Sequence, residues 1–210
     1  MTKKDRVILN QNLYSIIPQH VYSIISEVYN SKDRFYHTNE HISKMLNNLE
    51  MLVEKYDINK SKSIFVLMLG MAIIFHDVVL FEEDPVLKSA EVAELLLKNV
   101  LTEDEMNCVV RLIKATDWTY IPQSEDELII RDLDLLILSS DWDEYSKYAK
   151  NIELEFGRGI PREQYIDGRK RVLENMLKWD KIYDTEYFEH LNEKAKMNIK
   201  RELTELLKSR

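Results

Sequence analysis

An all-α fold is what this chain predicts, and three observations carry the prediction. Apolar residues recur at three- and four-residue intervals through most of the sequence, the spacing that lines one face of a helix. Only four Gly and four Pro occur in 210 residues, too few for the tight turns that join strands. Two Ser/Thr-x-x-Glu patterns, at Thr102 to Glu105 and Ser124 to Glu127, have the form of capping boxes that open helices. No repeat, low-complexity stretch or linker marks a boundary, so residues 1–210 read as a single-domain helical bundle.

The elements follow in order. Leu9, Leu13, Ile16, Ile17, Val21, Ile24, Ile25 and Val28 share a helical face that Pro18 breaks or kinks. After the polar turn Asn30 to Asp33, Thr38 or Asn39 is the expected N-cap of a helix with Ile42, Met45, Leu46, Leu49, Leu52, Val53 and Tyr56 on its apolar face. His41 then lies in the first turn and His37 at or just before the start. Asp57 to Lys62 reads as a polar connection, and residues 63–80 as the most apolar helix, with His76-Asp77 near its C-terminal end. Glu82 to Pro85 is a loop and Val86 to Val100 a helix. The first capping box opens the helix that holds Cys108. The second opens Leu128 to Leu138, where Asp132 and Asp134 stand among Ile and Leu. Three further helices are expected over Asp143–Phe156, Arg162–Trp179 and Asp184–Lys208.

Composition narrows the function classes. A net charge of -8 and a pI near 5.3 argue against a broad face for nucleic-acid polymers. His76 and Asp77 interrupt the apolar run 63–81, so a core helix is expected there and no membrane partner. The first residues lack the apolar run of a signal peptide, which points to a soluble cytoplasmic protein. Cys108 is the single cysteine, so no intramolecular disulfide forms, and a buried small hydrophobe is its expected role. The apolar helix faces leave room for a homodimer.

The chemistry concentrates in Phe35-Tyr36-His37-Thr38-Asn39-Glu40-His41-Ile42 and Phe75-His76-Asp77-Val78-Val79, which hold three of the five histidines. His37 and His41 are four residues apart, while adjacent His76 and Asp77 diverge by about 100° on a helix yet can reach one ion at its edge. Imidazoles with a carboxylate and no thiolate suit a borderline divalent ion such as Mn, Fe, Co, Ni or Zn. A later aspartate is the candidate fourth ligand, because a buried carboxylate among Ile and Leu is costly unless paired. Periodicity does not choose between Asp132 and Asp134. Each piece has a plainer reading: histidines hydrogen-bonded in a core, Asp132 paired with Arg131 or Lys114, Glu82-Glu83-Asp84 as a solvated loop. His20 and His190 read as surface or structural.

The order His41, His76-Asp77, Asp134 resembles the HD-domain superfamily of metal-dependent phosphohydrolases. Beyond it, Lys88-Ser89-Ala90, Asp132-Leu133-Asp134-Leu135, Gly168-Arg169 with Val172-Leu173, and Lys196-Met197-Asn198-Ile199 resemble a bacterial family of predicted HD phosphohydrolases over nearly the whole chain. The resemblance implies an HD-type helical bundle with one divalent metal ion (Mn, Fe, Co, Ni, Zn or Mg) held by His41, His76, Asp77 and Asp134, with Asp132 in reserve. It implies catalytic roles for His37, similar to the proton donor of cyclic-nucleotide phosphodiesterases, and for Asp77, which would orient a water. Arg169 matches a family arginine suited to a phosphate oxygen, though within Arg169-Lys170-Arg171 it also reads as a solvated charge. The implied substrate is a small phosphate ester such as a nucleotide. Two departures stand out: Asp84-Pro85-Val86-Leu87 where the family has a paired acidic segment, and Asp117-Trp118-Thr119 where a histidine often follows Ala-Thr. They motivate the rival expectations of a catalytically weakened metal- and nucleotide-binding module, or of a helical interaction protein.

Overall fold

A computed structural model describes residues 13, 16–56 and 63–208. Leu9, the N-terminal signal-peptide reading and the connection at 57–62 lie outside the described residues. Within them the fold is all-α, with no strand. The helices are α1 (Gln19–Tyr29), α2 (Asn39–Lys55), α3 (Ser63–Phe75), α4 (Pro85–Leu97), α5 (Glu103–Lys114), α6 (Glu125–Leu135), α7 (Trp142–Phe156), α8 (Arg162–Lys178) and α9 (Asn192–Lys208). Short 3-10 turns occupy Leu136–Ser139 and Glu189–Leu191. No described helix is long and apolar enough to cross a membrane.

The chain gathers into two compact units. The first comprises the described residues through Ser31 with His37–Leu133; the second comprises Lys32–Tyr36 with the residues from Asp134 onward.

In the first unit α3 runs through the core and packs on α2, α4 and α5. It is apolar on every side, and Met68 to Phe75 are all buried. Such a helix gains its stability from burial rather than from amphipathicity. A Cβ at Gly70 would meet Leu13 Cδ1 at 2.6 Å, so the missing side chain is what admits Leu13. α1 starts directly after Pro18, whose fixed φ suits the position before a helix. Its buried face is Val21, Ile25 and Tyr29; Ile24, expected inside, is exposed. Thr102 and Glu105 close a reciprocal capping box at the start of α5.

Several boundaries differ from expectation for local reasons. α3 ends at Phe75, not at residue 80, leaving His76 and Asp77 in the turn that follows. α6 spans Glu125–Leu135 instead of Leu128 to Leu138, and its continuation tightens into a 3-10 turn. The stretch 184–188 is not helical: Asn192 takes the backbone N–H groups of Ile182 and Tyr183 on its side-chain oxygen, at 2.6 and 3.0 Å, and starts α9 there. Cys108 is half-buried rather than buried, with Sγ 3.7 Å from the Arg111 guanidinium. Burial pushes its thiol pKa up, against a nucleophilic role.

In the second unit α9 packs on α8, α7 and the 3-10 turn at 136–139. Tyr145, Leu173, Tyr183, Ala195 and Ile199 fill the core. Asn198 donates to the carbonyls of Leu138 and Ser140, both at 2.9 Å, and Tyr183 donates to the Leu135 carbonyl. These bonds satisfy carbonyls that the end of a helix leaves without an intrahelical partner.

Candidate metal centre

Two helix ends of the first unit build the centre. At the start of α2, Thr38 is the N-cap and accepts from the Glu40 N–H at 3.3 Å. His41 therefore stands in the first turn, where the positive end of the helix dipole disfavours an imidazolium, and His37 precedes the cap. At the far end of α3 the last four carbonyls are all accounted for. Ala72 accepts from the His76 N–H, Ile73 from the His76 ring Nδ1, Ile74 from the Tyr29 hydroxyl and Phe75 from the Val78 N–H, at 2.9, 2.9, 2.9 and 3.2 Å. His76 thus supplies both its backbone and its ring to end the helix.

That arrangement sets the chemistry of the His76 ring. A carbonyl only accepts, so Nδ1 carries a proton and Nε2 presents a lone pair in the neutral ring. This is the orientation in which a histidine serves a metal through Nε2 while a backbone carbonyl holds its other nitrogen. Nε2 of His76 faces Nε2 of His41 at 3.4 Å and Oδ2 of Asp77 at 2.9 Å. His41 Nε2 lies 3.7 Å from the same Asp77 oxygen. For metal–ligand bonds of about 2.0–2.2 Å, neighbouring ligand atoms stand about 3.0 Å apart at octahedral angles and about 3.4 Å at tetrahedral ones. The three edges fall around those values. His41, His76 and Asp77 are a group of ligand-capable side chains that converges within reach of one ion among the described residues.

A lone pair 2.9 Å from a carboxylate oxygen is unfavourable unless a cation, either a proton or a metal, lies between them. Burial sharpens the demand: His41 and His76 are 4 % and 1 % exposed. Asp77 and His37 lie nearer the surface, with side chains 18 % and 17 % exposed. His37 Nε2 is 3.9 Å from Asp77 Oδ2, and its ring packs edge-on against His41 at 5.7 Å between centroids. The donor set suits a borderline or hard divalent ion.

The group found among the described residues does not include the other nominated residues. Asp132, in the first unit, is fully buried. Asp134 is half-buried and belongs to the second unit, so its place as fourth ligand rests on the sequence alone. Arg131, suggested as a partner for Asp132, extends its guanidinium to the carbonyls of Ala115, Asp117 and Tyr120. His20 and His190 are exposed, as are Glu82, Glu83 and Asp84.

Arg169 is not a solvated charge. It is buried in the second unit, where Nε and an Nη donate to the two oxygens of Glu202 at 2.7 and 3.0 Å and the same Nη reaches the Tyr148 hydroxyl at 3.2 Å. Burial pulls the guanidinium pKa down, but Tyr148 and Glu202 more than offset this and hold it well above its ordinary value. The pair with Glu202 accounts for the burial of Arg169 without any substrate.

Sequence reasoning missed Tyr29, Glu155 and Glu202, and gave Ser89 only as part of Lys88-Ser89-Ala90. Tyr29 had a legible signal, since Val21, Ile25 and Tyr29 continue one helical face at four-residue steps. Glu202 and Glu155 had none, because both bond to groups more than thirty residues away in sequence. No family model, curated protein or solved structure matches the chain.

Proposed function

We propose that the protein is a metal-dependent phosphohydrolase of the HD type, acting on a small phosphate ester such as a nucleotide. The observation that carries the reading is the triangle of His41, His76 and Asp77, with edges of 2.9, 3.4 and 3.7 Å and the His76 ring fixed by the Ile73 carbonyl. A divalent ion held there would polarise a phosphoryl oxygen and make water acidic enough to attack near neutral pH. His41 and His76 offer imidazole nitrogens to that ion, and Asp77 a carboxylate oxygen. The resemblance alone nominates Asp134 as a further ligand, with Asp132 in reserve. Asp77 also accepts a hydrogen bond from the attacking water and orients it. His37, beside Asp77 and closer to solvent, protonates the leaving oxygen. Arg169 keeps its proposed contact to a phosphate only if the pair with Glu202 opens, so the mechanism does not depend on it.

The test is elemental analysis of protein purified without a metal-affinity tag, beside a His76→Ala/Asp77→Ala double variant. About one transition-metal ion per chain, lost in the variant, is expected from a single-site design. A phosphatase and phosphodiesterase screen with that metal then follows. His37→Ala should abolish turnover and retain metal, whereas Asp77→Ala should lose both. No metal in either protein after incubation with Mn or Ni would overturn the reading.

A binding module with little or no turnover is the second reading. Its support lies at Asp84, which adopts a left-handed backbone with φ 52° ahead of Pro85 at the start of α4, in an exposed turn where Glu82 pairs with Lys88 at 3.2 Å. The acidic side chains of this turn serve the surface. Stoichiometric metal and nucleotide binding without turnover would favour this reading.

A further inference from the structure

We infer that Ser89 is a positioning residue for the metal-binding turn, a role that rests on the metal-site reading above. The turn His76 to Leu80 lies outside any helix, and its geometry is set by its backbone bonds. One end is tied to α3, where the His76 and Val78 N–H groups reach the carbonyls of Ala72 and Phe75. The other end is tied by a side chain of α4. Ser89, in α4 and fully buried, accepts from the Val79 N–H at 3.0 Å and donates to the Val79 carbonyl at 3.3 Å.

A hydroxyl can donate and accept at once, so one oxygen pairs both backbone polar groups of Val79 and restrains the dihedrals on either side of its Cα. Asp77 lies between these two anchorages. Its carboxylate meets His76 at 2.9 Å only while the turn holds this shape. α4 is in turn packed on α3 and α5, so the clamp refers the turn to the core. An alanine at 89 fits the space but leaves the Val79 groups without that partner. The turn can then relax toward water, carrying the Asp77 oxygen away from the two imidazoles. The same change leaves the helices and their packing in place.

Titration with Mn2+ by calorimetry, on metal-free wild type, Ser89→Ala and Ser89→Thr, decides the matter together with exchange of the Val79 amide. The expected result is a Kd for Mn2+ weakened by about tenfold or more in Ser89→Ala, the scale on which supporting partners of metal ligands act. The Val79 amide should exchange faster in that variant, and Ser89→Thr, which keeps the hydroxyl, should restore both readouts. Wild-type binding with Ser89→Ala within about twofold of it would overturn the positioning role and leave the metal centre standing. No Mn2+ binding by wild type would overturn the metal centre and this role with it, so the two failures are distinct. If Ser89→Ala lacks helical circular dichroism, Ser89→Cys carries the test, since its thiol fills the site but bonds weakly. It should weaken Mn2+ binding and speed Val79 exchange, and wild-type behaviour in both would overturn the role.

Discussion

The His41, His76 and Asp77 cluster of the first unit and the Arg169, Glu202 and Tyr148 cluster of the second both bury polar groups that are costly to bury unpaired. They differ in how their charges are met. In the second unit a guanidinium faces a carboxylate through two parallel bonds, and Tyr145 donates to the same carboxylate at 2.7 Å. Donors match acceptors, and positive charge matches negative. In the first unit two imidazole nitrogens and a carboxylate oxygen crowd together, and the one ring proton fixed by geometry points away toward Ile73. A cluster that closes its own account is a structural device. A cluster in which a ring nitrogen and a carboxylate oxygen stand 2.9 Å apart is completed by a cation, a proton or a metal.

The sharpest way to break this contrast is to open the closed cluster. Glu202→Ala strands the buried Arg169 guanidinium and should cost about 3–5 kcal/mol in urea unfolding. The double variant Arg169→Met/Glu202→Leu should recover most of that loss, because apolar replacements no longer bury a lone charge. If Glu202→Ala is neutral, the pair is not what holds α8 and α9 together.

Metal linkage is the next largest effect and belongs to the other cluster. At a free Mn2+ concentration a hundredfold above Kd, the unfolding free energy should rise by about 2.7 kcal/mol. Asp77→Asn should abolish that gain, since it removes a carboxylate of the group. A gain that survives the substitution would break the contrast with the Glu202 cluster.

A third cluster separates acid loss from metal loss. Arg111 of α5 holds Asp126 and Glu127 of α6, at 2.5 and 2.8 Å. Burial pushes both carboxyl pKa values up, but for Asp126 the Arg111 bond, and for Glu127 the Gln123 N–H and Arg111, more than offset it, leaving both below their ordinary range. With folded pKa values depressed, this contribution is fully present above the unfolded values near 4 and is lost as pH falls through the lower folded ones. Metal-free protein should therefore lose stability below about pH 4.5. Glu127→Gln should flatten that limb and cost about 1–3 kcal/mol at neutral pH. An acid limb unchanged in Glu127→Gln would place the loss elsewhere.

What was legible in the sequence follows the reach of each interaction. The helical class and the buried face of α2 from Ile42 to Leu52 were readable because they depend on residues three and four apart. The convergence of His41 with His76-Asp77 was readable as a pattern of residue types, whereas its geometry was not. The sequence placed His76 and Asp77 within a helix to residue 80, and the chain instead spends the His76 ring on ending α3 at Phe75. Arg169 shows the converse limit. Its neighbours Lys170 and Arg171 look like a solvated run, and only a glutamate thirty-three residues later explains why this one cation is buried. Ser89 was visible as part of Lys88-Ser89-Ala90, but its partner is a backbone unit, which no side-chain pattern records.

The smallest effect concerns two sequence patterns that look alike. Thr102 and Glu105 form the reciprocal box, with the Thr102 N–H on Glu105 at 2.8 Å and the Glu105 N–H on the Thr102 hydroxyl at 3.4 Å. At the second pattern Glu127 takes the Gln123 N–H, the Tyr120 hydroxyl at 3.0 Å and Arg111. Its carboxylate belongs to a long-range clasp as much as to a helix start. Thr102→Ala should cost about 1 kcal/mol in urea unfolding, the usual loss for a cap, with Mn2+ affinity unchanged because α5 meets the centre through the packing of its neighbours α3 and α4. A loss well above that, or a shift in metal affinity, would mean that the start of α5 is coupled to the turn at His76-Asp77. The contrast between closed and cation-seeking clusters would then have to include the frame that carries them.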